Sequence, residues 1–184
     1  EFGSGASVKT RVLLDAAPQI AVSASIDISL AALDEAAAAI RKAYPALTVA
    51  PLLEDFTRAI TLPVEAQGRP VTGFFPGSTI GNFTPDQAQA FLAGARKLLG
   101  EGGRFLVGID VVKAPQTLVA AYDDAKGVTA AFNKNLLTRI NRELGADFDL
   151  DAFAHRAVWN AEQSRMEMHL ESLRDQRVRV AGGT

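Results

Sequence analysis

The 184-residue sequence contains no cysteine. Disulfides and thiolate-bound metals are therefore excluded, and the cytoplasm is the expected compartment. Histidine is nearly as scarce, with only His155 and His169. They stand 14 residues apart on predicted strands, which makes neither a metal site nor a nucleophile triad, so neither is read as a ligand or a catalyst. No apolar run approaches the roughly 18 residues of a membrane helix, and the first residues do not read as a secretory leader. Neither sign of charge dominates: 19 Lys and Arg stand against 21 Asp and Glu, for a net charge of -2. No basic stripe is present, so neither nucleic acid nor a membrane is an expected partner, and a monomer is expected. The phosphate-gripping lysine pattern of nucleoside triphosphatases is also missing.

What is present is globular: 48% of residues are hydrophobic and 22% charged, enough for a real core. Ser7 can cap a helix through "VKTRVLLDAA". "IAVSASID" (20–27) reads as a strand ending in an acid. Ser29 caps the alanine-rich helix "SLAALDEAAAAIRKAY", which stops before Pro45. "LTVAPLLEDF" (47–56) is a second strand ending in acid, residues 57–70 are loop, and "VTGFFP" (71–76) is a third strand. Thr84 caps "PDQAQAFLAGARKLL" with Pro85 at its first position, glycines end that helix, and "RFLVGID" (104–110) is a fourth strand. Short apolar strands alternating with amphipathic helices predict an α/β fold with a parallel, doubly wound sheet.

Beyond residue 110 the pattern changes. Residues 115–144 read as one long helix or two, broken near Gly127. "FAHRAVWN", "RMEMHLES" and "QRVRVA" alternate with period two and predict three antiparallel strands. The expected division is residues 1–112 and 113–184.

In such a sheet, ligands bind at the carboxyl ends of the strands, near the point where strand order reverses. There the sequence supplies a glycine turn, Gly3-Ser4-Gly5, opening a helix. Glycine lets backbone approach a ligand, and a helix N-terminus offers free N–H groups. The third glycine of the dinucleotide fingerprint is absent, which disfavours a nicotinamide oxidoreductase. Asp27 lies about 22 residues past Gly5 at the next strand end, where an acid can accept both ribose hydroxyls of an adenosine. Asp55 can bond an adenine amino group and Phe56 can pack on the ring. Each acid alone is equally a solvated strand-end carboxylate; in register on successive strands they favour a nucleoside. Adenosine binding without a third glycine or a phosphate lysine points to S-adenosylmethionine, whose sulfonium needs only an in-line nucleophile and exclusion of water. Trp159, Met166 and Met168 read as packing residues. Lys113 and the neighbours Asp123 and Asp124 read as facing water or closing helix contacts.

"FFPGSTIGNF" (74–83) is too polar for core and too apolar at its ends for a linker. It follows a predicted central strand, so its turn faces the ligand end of the sheet. Its glycines admit close backbone approach, and Asn82 offers a directed donor and acceptor.

These stretches, with "EFGSGASVKTRVLLDA", "EDF", "LVGIDVVK", "LVAAYDDAKGVTAAFNKNLLTRINRELGADFDLDAF" and "AVWNAEQSRMEM", resemble the histidine-specific N-alpha-methyltransferases almost end to end. The Gly-Ser-Thr-x-Gly-Asn turn and the Tyr-Asp-Asp…Asn-x-Asn helix are the specific elements. The resemblance implies a Rossmann-like class I methyltransferase sheet with helical and antiparallel β additions for the substrate. It implies an S-adenosylmethionine-dependent enzyme that trimethylates the alpha-amine of histidine, giving hercynine on the path to ergothioneine. By motif, Gly3, Ser4, Gly5 and Lys9 belong to the cofactor loop and its helix, Asp27 to the ribose, and Asp55 with Phe56 to the adenine. Asn82 and Tyr122 hold the amino acid, with Gly77 and Thr129 on the same wall. No catalytic residue and no metal are implied.

The same resemblance implies an upstream segment with substrate-binding tyrosines and a downstream strand pair whose Glu and Ser read the imidazole ring. Neither is in this sequence, so the chain is expected to be a fragment whose first sheet strand should end at Glu1. The alternative for the opening "EFGSG" is a cloning linker. Fungal relatives act on tryptophan derivatives, which leaves a tryptophan-like substrate, or a non-catalytic nucleoside-binding module, as alternatives. Asn82 and Tyr122 favour the enzyme, since a cofactor binder needs no amino acid clamp. Without the central strand, residues 20–27 and 71–76 are expected to lack a partner, at the cost of unpaired buried backbone. The 184-residue chain by itself is therefore expected to be poorly stable and inactive; cooperative urea unfolding together with tight cofactor binding refutes this.

Overall fold

Six short parallel strands and three helices build the first of two units, Glu1–Asp110; the second is Val111–Thr184. A computed structural model describes residues 1–3 and 8–181. Ser4 and Gly5 of the glycine loop, and the Ser7 cap, lie outside the described residues. Helix α1 (Val8–Ala16) buries Thr10 and Leu14. Helix α2 (Leu30–Ala43) begins where the Ser29 hydroxyl accepts the Ala32 N–H, and buries Leu33, Ala36, Ala37 and Ile40 on one stripe.

The first two predicted strands are each interrupted. Residues 20–27 form β1 (Val22–Ser23) and β2 (Ile26–Asp27), and residues 47–56 form β3 (Thr48–Val49) and β4 (Leu52–Leu53). β1 pairs with β3 and β2 with β4, both parallel. Across the interruption the ladder continues, because Ala50 N donates to Ser23 O at 2.9 Å and Leu52 N to Ser25 O at 2.8 Å. Pro51 falls between these two donors, so its missing N–H is on the side away from the partner strand, where proline is tolerated. β5 (Thr72–Phe75) pairs in parallel with β6 (Arg104–Val107). Between them runs α3 (Pro85–Leu99), opened by a complete capping box of Thr84 and Gln87 with Pro85 at the first turn. The connection 54–71 carries a single 3-10 turn, Val64–Ala66.

The two strand pairs are joined through residues 1–3. Phe2 bridges Ile26 in parallel, with Ile26 N donating to Glu1 O at 2.9 Å and Gly3 N to Ile26 O at 2.8 Å. On the other side Phe2 N donates to Phe74 O at 2.9 Å. The spatial order is β3/β4, β1/β2, residues 1–3, β5, β6, so the direction of winding reverses at the centre. The expectation that the strands flanking the centre lack any partner is thus corrected at their carboxyl ends, where three residues serve both. Towards their amino ends a cavity of about 550 Å³ separates β1 from β5, lined by Leu14, Val22, Ala24, Thr72, Phe74 and Leu98 among others.

Beneath this centre lies an aromatic core. Phe75 is fully buried, and its ring centroid is 6.1 Å from that of Phe2 and 4.7 Å from that of Phe91. Phe2 contacts Phe91 and Phe105 edge to face, a geometry that adds to the area term.

The second unit contains helices α4 (Pro115–Tyr122) and α5 (Val128–Leu144), a 3-10 turn (Leu150–Ala152), and an antiparallel hairpin of β7 (Phe153–Asn160) and β8 (Arg165–Ser172). The long helical stretch is therefore two helices, with Gly127 in the left-handed region at the start of the second. The third predicted strand, "QRVRVA", is not one. Arg179 bonds instead to the Asp147 loop: its N–H donates to Asp147 Oδ1 at 2.7 Å, and its carbonyl accepts the Asp147 N–H at 3.2 Å. The Asp147 carboxylate takes the donor that a neighbouring strand would otherwise take. Among the described residues no helix is long and apolar enough to cross a membrane.

Gly73 in β5 has no room for a side chain: a Cβ there would sit 2.6 Å from Phe105 Cδ2 and 3.1 Å from Leu99 Cδ1. Gly73→Ala is expected to destabilise the first unit by about 1–3 kcal/mol through overpacking, read as a lower urea midpoint. An unchanged midpoint would mean that β6 and α3 yield without cost.

Candidate functional site

The carboxyl ends of the central segments place Gly3, Asp27, Asp55, Phe56 and residues 76–82 in the first unit. Gly3 has φ +69°, and a Cβ on it would lie 3.4 Å from the Phe56 ring. Backbone at this position is left-handed, which only a residue without a Cβ adopts cheaply. Asp27 Oδ1 accepts the Ser29 N–H at 3.0 Å. This local turn fixes the carboxylate at the strand end while Oδ2 stays outside the turn.

Asp55 is engaged differently. Its Oδ1 accepts both the Thr57 hydroxyl at 2.6 Å and the Thr57 N–H at 2.9 Å, and Arg58 Nε approaches Oδ2 at 3.4 Å. The Thr57 hydroxyl first, then the Thr57 N–H, hold this carboxyl below its ordinary range. Phe56 joins the aromatic core, with centroids 5.6 Å from Phe75, 6.0 Å from Phe91 and 6.4 Å from Phe2. It is half-buried, so one part of its ring anchors the core while the Asp55–Phe56 pair stands at the end of β4.

The turn after β5 is the most constrained backbone in the unit. Gly77 has φ +80°, and the next residue, Ser78, is also left-handed at φ 61°. A non-glycine residue in that region costs energy and is held only where its surroundings over-determine it. Here the Ser78 hydroxyl accepts the Asp110 N–H at 2.8 Å, and the Thr79 hydroxyl donates to Pro76 O at 3.2 Å. Gly108 N donates to Phe75 O at 3.0 Å, and a Cβ on Gly108 would lie 3.1 Å from Gly77 N. Two backbone segments thus approach as closely as glycine allows. A 3-10 turn (Thr79–Asn82) follows and leaves Asn82 exposed at its end. Lys9 is brought to the same turn, since its Nζ lies 2.9 Å from where a Gly77 Cβ would be. The sequence reading named Gly77 and Asn82 and missed Ser78; only the left-handed conformation marks it, and serine carries no such signal in sequence.

Tyr122 and Thr129 belong to the second unit. Tyr122 is the last residue of α4, and its side chain is 41% exposed. Thr129 lies in the first turn of α5, where its N–H donates to Asp124 Oδ1 at 2.8 Å and the Val128 N–H to Asp124 Oδ2 at 3.1 Å. Asp124 therefore closes the start of α5, one of the two possibilities read for it from sequence. The Thr129 N–H first, then the Thr129 hydroxyl and the Val128 N–H, hold its carboxyl down to about 2. Among the described residues no cluster of His, Asp and Glu could hold a metal.

The family model described as "Histidine-specific methyltransferase, SAM-dependent" matches residues 1–184. A histidine N-alpha-methyltransferase of Mycolicibacterium smegmatis is 46% identical over 184 residues, which cover 98% of this chain and 57% of that protein. The Mycobacterium tuberculosis protein of the same name is 43% identical over 183 residues, covering 98% of this chain and 56% of that one. This chain thus spans little more than half the length of these curated relatives. Among solved structures, an S-adenosylmethionine-dependent methyltransferase from Clostridium acetobutylicum aligns with TM-score 0.47 at 14% identity, covering 98% of this chain and 65% of that chain.

Asp124 also sets a pH limit. Its folded pKa of about 2 lies below the ordinary 3.8. A depressed carboxyl contributes stability that is whole above the ordinary value and is lost as pH falls towards the folded one. Between about pH 4 and pH 2 the Val128 and Thr129 amides should lose hydrogen-exchange protection. In Asp124→Ala that protection should already be low at neutral pH and no longer follow acid.

Proposed function

The chain belongs to the S-adenosylmethionine-dependent histidine-specific methyltransferase family, and from that membership we propose that the protein methylates the alpha-amine of histidine three times to give trimethylhistidine in ergothioneine biosynthesis. The observation that carries the reading is the family match along the whole chain, joined to a site whose glycines and strand-end acids suit an adenosine. A parallel sheet whose winding reverses at residues 1–3 supports reading the first unit as a Rossmann-like class I methyltransferase sheet, with the second unit as its substrate-binding addition. The protein acts in the cytoplasm as a monomer.

The fit to the cofactor rests on two features of this chain. The backbone at Gly3 turns with no Cβ in the way, and Asp27 keeps one carboxylate oxygen outside its local turn, suited to ribose hydroxyls. When bound, S-adenosylmethionine supplies a methyl group on a sulfonium, which is already electrophilic. Gly3, Ser4, Gly5 and Lys9 hold its amino acid end, and Lys9 brings a cation to the Gly77 turn. Asp55 orients the adenine, within the restraint that Thr57 and Arg58 already place on its carboxylate, and Phe56 offers the exposed part of its ring.

On the amino acid, Asn82 offers an amide donor and acceptor from a turn whose backbone is pinned by Ser78 and Asp110, and Gly77 on the same wall admits Lys9 beside it. Tyr122 and Thr129 contribute from the second unit. The chain's own task is to hold the carboxylate end still, so that a neutral amine is presented in line and can turn and shed a proton between transfers. No side chain of this chain is assigned as a proton acceptor.

The complete protein, incubated with S-adenosylmethionine and either histidine or tryptophan, decides the substrate by mass spectrometry. Gain of three methyls on histidine supports the reading, and modification of tryptophan alone overturns it. Asn82→Ala and Tyr122→Phe should each raise the KM for the amino acid by about tenfold, the value of a lost substrate hydrogen bond, with little change in cofactor Kd. Asp27→Ala should do the reverse. Equal loss of both affinities in all three variants would contradict these roles.

A further inference from the structure

Tyr122 presents a problem of positioning. It ends an eight-residue helix, its side chain is 41% exposed, and its phenol makes no hydrogen bond among the described residues. The last carbonyls of a helix have no intrahelical partner, and short helices fray at such ends. The main chain sets where the Cα–Cβ bond starts and points, so whatever holds the Tyr122 main chain decides which region its hydroxyl can reach.

That holder is His155. From β7 its Nε2 lies 2.7 Å from the Tyr122 carbonyl, and its Nδ1 lies 3.0 Å from Nδ2 of Asn133 on α5. Asn133 Nδ2 also donates to the His169 carbonyl of β8 at 3.0 Å. These partners fix every hydrogen. Two of them are main-chain carbonyls, which only accept. The Asn133 amide nitrogen must therefore face His169, because a flipped amide would set oxygen against oxygen. With one hydrogen on His169 O, its other hydrogen points at Nδ1, which must be bare. The proton of the imidazole then sits on Nε2 and is donated to Tyr122.

We propose that His155 is a positioning residue for Tyr122: the Asn133–His155 relay ties the carboxyl end of α4 to α5, β7 and β8 and so presents the phenol to the amino acid substrate from a fixed main-chain position. The proposal rests on the reading of Tyr122 as a substrate-binding residue. It gives a use to one of two histidines that chemistry elsewhere in the chain leaves without one. His155 touches no reacting atom in this account; it acts through the Tyr122 main chain.

The test uses the complete enzyme. His155→Ala should raise the KM for the amino acid about tenfold, in keeping with loss of an oriented hydrogen bond, and leave cofactor Kd within about twofold. His155→Gln, whose amide can still donate to the Tyr122 carbonyl, should recover most of that loss. In the Tyr122→Phe background His155→Ala should add little, because the hydroxyl it positions is gone. An equal penalty with and without the hydroxyl overturns the proposal. Tyrosine fluorinated on the ring at position 122 gives a reading independent of substrate. Its 19F resonance should shift or broaden in His155→Ala and return in His155→Gln, and an unmoved resonance also overturns the proposal. If Tyr122→Phe alone leaves KM unchanged, the substrate role of Tyr122 fails, and the 19F result still decides whether His155 sets the ring.

Discussion

The first unit depends on a three-residue segment at its centre. Phe2 donates to Phe74 on one side, while Glu1 and Gly3 exchange bonds with Ile26 on the other. Through these contacts two separate parallel pairs become one sheet, and the carboxyl ends of all strands come to one edge. The Phe2 side chain, 4% exposed, gathers Phe75, Phe91 and Phe105 beneath that edge. The same segment ends in Gly3, whose backbone is left-handed. Sheet, core and candidate cofactor turn are thus consequences of one register. Burial acts on this register too: Glu1 loses hydration, which raises its carboxyl pKa, and the Thr10 hydroxyl offsets part of that by donating to it.

The candidate site is made largely of main chain. Between residues 76 and 82 two successive left-handed residues, one of them serine, are stabilised by a bond to the 108–110 segment. Side chains do less there than their sequence prominence suggests. Phe56 is shared with the core, and Asp55 spends its Oδ1 on Thr57. What the turn offers a small polar ligand is one exposed amide at Asn82 and one cation at Lys9, while Gly77 and Gly108 let Lys9 and the two backbone segments come together.

Much of this was legible in the sequence because the signals were local. The Ser29 and Thr84 caps, Pro85 at a first turn, and the period-two alternation of β7 and β8 each follow from neighbouring residues and appear where expected. The misses share a different cause. "QRVRVA" alternates like a strand, yet pairing is a property of the partner, and the Asp147 carboxylate took the donor. The breaks within residues 20–27 and 47–56 face each other at Ala24–Ser25 and Ala50–Pro51, where the ladder bonds continue past the proline. Ser78 has no compositional sign of its left-handed backbone. The bond of His155 to a carbonyl 33 residues away has no sequence signature.

The second unit shows how a short joint between helices is made stiff without a large core. Residues 123–127 connect α4 to α5, and both helix ends that they join are closed by side chains of matching polarity. Asp124, an anion, takes the free N–H groups at the positive start of α5, and the His155 donor takes a free carbonyl at the negative end of α4. Each cap would be unfavourable if exchanged for the other: a carboxylate beside the Tyr122 carbonyl would repel it, and an imidazole N–H would repel the Val128 and Thr129 amides. With both ends closed, the Asp123 N–H to Val119 O and the Gly127 N–H to Asp124 O bonds leave the joint few soft torsions. The Tyr122 main chain is thus held at this joint while the residue itself stays 41% exposed.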